Sequence, residues 1–518
     1  MALNPGSPRS RTYSVPAPVG GWNARDSLAS MSEEDAVSMD NWWPMTTDVV
    51  VRNGYTQFST GITGQIESLM NYGGATGQKL FCAAGTSFYN ITTGGVVGAA
   101  VVAGLSNARW DYINVSTTGG NYLYVANGTD SPQLYDGTTW QAVTGVSAPI
   151  SITGVTTSLL KAPNLFKNRV WFLEKNSLRA WFLPLSSVGG AASSLDFSSI
   201  ARLGGNLVAM GTWTIDAGYG VDDLAVFVTS QGEVIVYRGS DPAFAATWAL
   251  AGLWQVGSPV ANSGTNRCIM KYGGDLALLT LDGLFPLASY LQTDRLNPRV
   301  ALTEKIYQAT SNATTLYGSN FGWDIEYYAK ANMLILNVPV AVGSAQVQYA
   351  MNTISKSWCS FSGITANCWG IFNDEPYFGA NGFIGRFCNG QIDNVTNIQA
   401  NCLQAFNEFK LPGLNKRWTM MQPILTTNGT PSLNVGLNID FNQGDNTGTL
   451  AFTSPGFASW DSAKWDTGLW GGGLGVVEAW QGVQGIGKWA AIRLKSSTAN
   501  IETHWAATTY VYEPGGIL

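Results

Sequence analysis

The feature that most constrains this chain is a repeat. From about residue 66 to 390, a short apolar strand, a polar or glycine turn and a second apolar strand recur in seven copies. The copies fall at 79–89, 122–137, 169–182, 224–237, 276–285, 333–352 and 377–387, with starts roughly 40–57 residues apart. Turn residues sit where a hairpin needs them, as at Asn127-Gly128, Asp282-Gly283 and Asn381-Gly382. A lone hairpin cannot bury both of its faces. Stacking such units around an axis buries them and protects sheet edges. Blades of about 40–50 residues with four strands each are the matching architecture. The spacing therefore predicts an all-β chain with a β-propeller of about seven blades over 61–390; a run of β-sandwiches with similar turns is the alternative.

Composition agrees with that class. Only 12% of the 518 residues are charged, against roughly 25% in ordinary soluble domains. Gly numbers 60, aromatics reach 12% and 45% of the chain is hydrophobic, so a large core is available and disorder is not expected. The net charge of −6 argues against broad, tight nucleic-acid binding. The N-terminal 14 residues carry Arg9 and Arg11 but no apolar run, so no signal peptide is expected, and no stretch of 18 apolar residues predicts a membrane helix. The six cysteines form no C-x-x-C pair and read as buried free thiols.

Two flanking regions differ from the repeat. Residues 1–60 read as an extended arm, with Pro5, Pro8, Pro16 and Pro18 blocking early regular structure and one short helix expected over 30–37, where Ser30 and Glu33 fit a capping box. Residues 391–518 read as a C-terminal β-sandwich-like domain, with a helix expected over 397–409 and a Trp cluster at Trp460, Trp465, Trp470, Trp480 and Trp489.

Candidate chemistry is sparse. The segment 482–488 matches most of a P-loop, but Trp489 stands where Ser or Thr should hold Mg²⁺, so a glycine turn is expected. His504, the single histidine, alternates with strand residues and reads as structural. Asp222-Asp223 and Asp374-Glu375 are adjacent carboxylates; neighbours on a strand face opposite ways, so they read as turn residues rather than a glycosidase pair. Lys416-Arg417 is a rare basic pair with no aromatic-interleaved stripe around it. The Trp cluster suits a core or subunit interface, with a sugar platform as the other use. No catalytic residue, cofactor or metal site is expected from these residues, and the chain is read as a non-enzyme.

The N-terminal string Gly20-Gly21-Trp22-Asn23-Ala24-Arg25-Asp26-Ser27-Leu28, then Met31, Asp35-Ala36, Asp40-Asn41-Trp42-Trp43-Pro44 and Arg52-Asn53-Gly54-Tyr55, resembles the tail nozzle (packaged-DNA stabilisation, or tail hub) proteins of short-tailed bacteriophages. The segments 348–353, Trp358-Cys359, Asn367-Cys368-Trp369 and 373–379 are similar to that family, as is Trp460-Asp461 to Trp465-Asp466 followed by Trp470-Gly471-Gly472. The Trp42-Trp43 pair departs from the single aromatic usual there. The resemblance implies a structural virion protein at the tail tip, assembled in the host cytoplasm as a ring of six copies. It implies docking on the head-to-tail adaptor, contact with tail spike or fibre proteins, non-specific passage of double-stranded DNA and no membrane insertion. It makes Trp22, Asn23, Arg25, Asp26, Asp40, Asn41, Trp42, Trp43, Trp460, Trp465 and Trp470 interface candidates. The alternative function is a carbohydrate-binding or glycoside-hydrolysing propeller used in host attachment.

Overall fold

The computed structural model describes residues 10–74, 77–216, 221–244, 246–260, 266–291, 298–451 and 474–515. The chain is all-β and divides into two compact units. One comprises Met1–Thr56, Gln348–Ile364 and Phe387–Leu518; the other comprises Gln57–Val347 and Thr365–Arg386. The expected division at 60 and 390 thus meets a different one, in which the N-terminal segment and the C-terminal region belong to the same unit.

The second unit is a propeller built from antiparallel meanders. Four-stranded sheets form from Asp111–Thr117, Gly120–Ala126, Gln133–Tyr135 and Trp140–Ala142; from Leu160–Phe166, Arg169–Glu174, Arg179–Phe182 and Ser193–Asp196; and from Leu207–Asp216, Val221–Thr229, Glu233–Gly239 and Trp248–Gln255. A three-stranded sheet follows, Ile269–Tyr272, Asp275–Thr280 and Gly283–Pro286, and then the hairpin of Asp324–Tyr328 with Met333–Ala341. The 20-residue strand Tyr55–Gly74 serves two meanders. Its later part opens the first one, with Gly77–Ala84, Ser87–Asn90 and Val102–Ala103. Its earlier part adds an outer strand to the last one, Cys368–Phe372, Glu375–Gly379 and Asn381–Phe387. Pairing the two ends of the repeat in this way leaves no open edge where the ring joins.

The leading strands touch in succession, from Asp111–Thr117 to Leu160–Phe166, Leu207–Asp216, Ile269–Tyr272, Asp324–Tyr328 and Cys368–Phe372. Asn71 on the strand Tyr55–Gly74 completes the circle. Its Nδ2 donates to the Ile371 carbonyl (2.9 Å), and its own carbonyl accepts from Asn114 Nδ2 (3.0 Å). Seven leading strands therefore surround one axis, as the seven repeats predict. Aromatics lock neighbouring meanders together. Phe81 meets Tyr135 and Trp140 at ring separations of 5.0 and 5.1 Å, Tyr124 meets Phe172 at 5.3 Å, and Trp171 stacks on Trp248 at 5.8 Å. Each such pair adds about 0.5–1.5 kcal/mol beyond its buried area.

The first unit has two sheets. One runs in the order Gly475–Glu478, Lys416–Thr427, Thr503–Pro514, Val49–Val51 and Trp42–Pro44, with Arg11–Pro16 and Gln481–Gly487 attached. The other includes Trp358–Phe361, Asp35–Asp40, Ile398–Gln404, Ala490–Thr498, Ser432–Ile439 and Gly448–Thr449. Burial alternates along Lys416–Thr427 and Thr503–Pro514, the period of strands with one covered face.

Two expected helices are strands. Ser30 lies in a turn, its N–H bonded to the Ser27 carbonyl (2.9 Å), and Asp35 opens the strand Asp35–Asp40. Eight residues are too few to hold a helix unaided, and the strand gains a ladder with Ile398–Gln404. That partner strand occupies the second expected helix at 397–409. Tertiary pairing on both of its sides overrides the local pattern. Residues 10–60 are likewise not a free arm, because their strands belong to both sheets. The helix Tyr307–Tyr317 was not foreseen, since its Thr- and Asn-rich sequence has weak helix propensity.

Candidate functional site

Among the residues that carry the resemblance, Asn41 and Arg52 form a buried polar brace in the first unit. Asn41 has φ +57°, a left-handed conformation that Asn tolerates better than most residues. Its Oδ1 accepts from Arg52 Nε (2.7 Å) and Ser362 N (2.9 Å), and its Nδ2 donates to the Gln399 carbonyl (2.7 Å). Arg52 is 1% exposed. Its other donors reach Asp393 Oδ1 (2.8 Å), Asp393 Oδ2 (2.6 Å), the Ser362 carbonyl (2.7 Å) and the Asn53 carbonyl (3.0 Å), which satisfies the whole guanidinium. Asp40 accepts from the hydroxyls of Ser360 and Ser362, while burial pushes its pKa up.

Asn23 is buried and folds the chain around itself. Its Nδ2 donates to Asp26 Oδ2 (2.9 Å) and Asp35 Oδ2 (2.8 Å), and its Oδ1 accepts the N–H groups of Arg25 and Asp26. Arg25 pairs with Asp26 at the surface (2.7 Å). Trp22 is half-buried against Tyr349, with ring centroids 5.3 Å apart. Trp42 is fully buried edge-on to Trp505 (6.1 Å), and Trp43 is buried beside Phe361 (6.0 Å). Both Trp side chains therefore pack within their own unit, and of these candidates Trp22, Arg25, Asp26 and Asp40 keep exposed or partly exposed side chains. Trp460, Trp465 and Trp470 lie outside the described residues.

The propeller unit holds a second polar assembly that the sequence reading missed. Charged residues stand near the starts of several of its leading strands, Asp111, Lys161, Arg267 and Asp324, with Glu67 inside the strand Tyr55–Gly74. Asp111 accepts the Asn266 N–H at Oδ2 (2.8 Å). Burial pushes its pKa up to about 6, against the opposing pull of Arg267, the Asn266 N–H and Lys161. Arg267 Nη2 donates to the Glu67 carbonyl (2.6 Å) and Ser68 Oγ (2.9 Å), and Nη1 lies 3.9 Å from Asp324 Oδ2. Burial works against the Arg267 charge, but Asp324 and Asp111 outweigh it and its pKa rises. Asp324 Oδ2 also accepts the Trp369 N–H (2.9 Å), and burial raises this carboxyl too. Glu326 lies two positions on, hence on the same strand face. Burial first, then the Asp324 charge, push it up to about 8. Phe321 is capped by the Arg109 guanidinium at 4.2 Å and the Arg267 guanidinium at 5.3 Å.

A cleft of about 310 Å³ opens along the same leading strands, lined by Asn114, Asn164, Met210, Thr212, Asn266 and Lys271 among others. Asn164 and Asn266 both donate Nδ2 to the Met210 carbonyl (2.8 and 3.2 Å), which fixes two walls of the cleft.

The remaining sequence candidates are structural. Asn373 and Asp374 both have positive φ and make the two-residue turn between Cys368–Phe372 and Glu375–Gly379, while Glu375 pairs with Arg386. Asp223 accepts from Thr214 Oγ1 (2.9 Å); the side chain of Asp222 lies outside those described. The P-loop-like segment is the strand Gln481–Gly487. His504 sits between Asp48 (Nδ1 to Oδ2, 2.6 Å) and Glu502 (Nε2 to Oε1, 2.9 Å). All six cysteines are free thiols. Among the described residues, no group of three His, Cys, Asp or Glu side chains is placed to hold a metal ion, and no helix is long and apolar enough to cross a membrane.

No protein-family model and no curated protein matches the chain. Solved structures that resemble it include BBS1N in complex with ARL6DN, at 10% identity over 66% of this chain and 99% of that one, TM-score 0.41. Another is the extracellular domain of the one-component system BT4673 from B. thetaiotaomicron, at 9% identity over 82% of this chain and 57% of that one, TM-score 0.39. A third is a glycoside hydrolase family 43 arabinoxylan arabinofuranohydrolase from Bacillus subtilis in complex with cellotetraose, at 11% identity over 92% and 95%, TM-score 0.26. The expectation that the chain is not an enzyme does not survive, since a glycoside hydrolase matches it over most of its length. At that TM-score the likeness does not argue for hydrolysis by this chain either.

Proposed function

We propose that this chain is the tail nozzle of a short-tailed bacteriophage: a virion protein that rings the tail tip, docks on the head-to-tail adaptor, retains packaged DNA and forms the channel for its ejection. The observation that carries this reading is the use made of the N-terminal string. Asn23, Asp35, Asn41, Trp42 and Arg52 hold together the first unit, so the resemblance lies in residues that determine a fold rather than in composition. The net charge of −6 suits a conduit past which phosphates slide without sticking.

The test is assembly. The purified full-length chain, alone and with a head-to-tail adaptor ring, is examined by mass photometry and negative-stain microscopy. The reading expects a closed ring of about six copies, formed alone or on the adaptor. A chain that stays monomeric under both conditions counts against it.

A further inference from the structure

We propose that His504 is a proton-operated clasp within the first unit. Carrying two ring protons, it holds the turn 45–48 against the strand Thr503–Pro514; on losing one, it releases that turn.

The geometry carries the argument. Nδ1 lies 2.6 Å from Asp48 Oδ2, and Nε2 lies 2.9 Å from Glu502 Oε1. A neutral imidazole has one donor nitrogen and one acceptor nitrogen, and an ionised carboxylate only accepts. Both contacts are therefore hydrogen bonds only in the imidazolium. Removing one proton turns a nitrogen lone pair toward one of the carboxylates. Among the described residues, Asp48 and Glu502 are the charged groups in contact with the ring. Its cross-strand neighbours, Val50 on one side and Thr426 on the other, are uncharged. The two acids raise the ring's pKa against the opposing effect of burial. All three side chains are partly exposed, so bulk protons reach them.

The turn is the part free to move. The hairpin of Trp42–Pro44 with Val49–Val51 ends its sheet. It joins Thr503–Pro514 through two register positions, His504 with Val50 and Trp505 with Val49. The base of the hairpin is anchored. Trp42 is fully buried against Trp505, and Asn352 Nδ2 donates to the Pro44 carbonyl (2.9 Å). The tip differs: Met45, Thr46 and Thr47 are exposed, and the Met45 N–H closes the turn on the Asp48 carbonyl (2.9 Å). Among the described residues, the Asp48–His504 contact is the one side-chain hydrogen bond tying this tip to another element. Deprotonation thus frees the tip while the base stays packed. This inference does not depend on ring assembly.

The test pairs ring-nitrogen NMR with amide hydrogen exchange on the full-length, histidine-labelled chain. His504 is the single histidine, so the ring signal needs no assignment by mutation. Both ring nitrogens should still be protonated at pH 6.5, the ordinary midpoint. At the higher pH where one proton leaves, protection at Met45 and Val50 should fall about tenfold or more, after correction for the intrinsic pH dependence of exchange. Protection at Tyr124 and Val125, in the propeller unit, should not change. In His504→Gln, protection at Met45 and Val50 should lose its dependence on pH over that range. Should this variant fail to fold, Asp48→Asn replaces it: an amide offers the ring a donor and an acceptor, so the tip should stay docked through the titration. A ring that loses its second proton below pH 6.5, tip protection indifferent to the ring's titration, or the same loss of protection in the variant would overturn the proposal.

Discussion

Arg52 grips Asp393 through two parallel hydrogen bonds of 2.8 and 2.6 Å across 341 positions of sequence. The pair is almost wholly removed from water, at 1% and 7% side-chain exposure. A buried ion pair adds little net stability over an apolar replacement of both partners, but removing one partner strands the other. Arg52→Met or Asp393→Asn is therefore expected to destabilise the first unit by about 3–5 kcal/mol. Denaturant titration checks this; a loss below about 1 kcal/mol contradicts the brace.

Deleting residues 1–45 tests the unit assignment. The sequence alone suggests that such a deletion removes only an attachment arm. The structure places Arg11–Pro16, Asp35–Asp40 and Trp42–Pro44 in the two sheets of the first unit. The truncated protein should lose that unit's calorimetric transition, whereas retention of every wild-type transition would restore the arm reading.

His504 predicts a pH dependence. Burial lowers its pKa, but the hydrogen bonds it donates to Glu502 and Asp48 overcome this and leave it above the ordinary 6.5. A folded pKa above the unfolded one gives stability that is complete below 6.5 and lost as pH rises through the raised value. His504→Gln should flatten that part of the thermal-stability profile. An unchanged profile sinks the prediction.

Glu326 acts in the same direction in the propeller unit. Its folded pKa of about 8 exceeds the ordinary 4.5, so the folded state holds the proton longer and stability falls as pH rises between these values. Glu326→Gln mimics the protonated form. It should raise the melting temperature above pH 8 by about 2–4 °C and do little near pH 4. A lower melting temperature at high pH would show that the carboxylate is wanted charged.

What was legible in the sequence follows from range. Hairpins are local, so turns such as Asn127-Gly128 and Asn381-Gly382 and their apolar flanks marked all seven repeats. The strands at 35–40 and 398–404 were hidden, because each becomes a strand only by pairing with the other. The axial charges were hidden for a related reason. Asp111, Lys161, Arg267 and Asp324 are single residues separated by about 50 positions or more, and only ring closure gathers them. A signal did exist: superposing the repeats puts a charged residue near the start of several leading strands. The adjacent carboxylates Asp374-Glu375 have no such place: Asp374 shares a turn with Asn373, and Glu375 opens the next strand.

The proposed role requires copies of this chain to close into a ring around a conduit. Electron cryomicroscopy of the full-length protein assembled on a head-to-tail adaptor tests it most directly. About six copies around an open lumen wide enough for a DNA duplex are expected. Discrete single copies, or a ring whose lumen is filled by the chain itself, would contradict it.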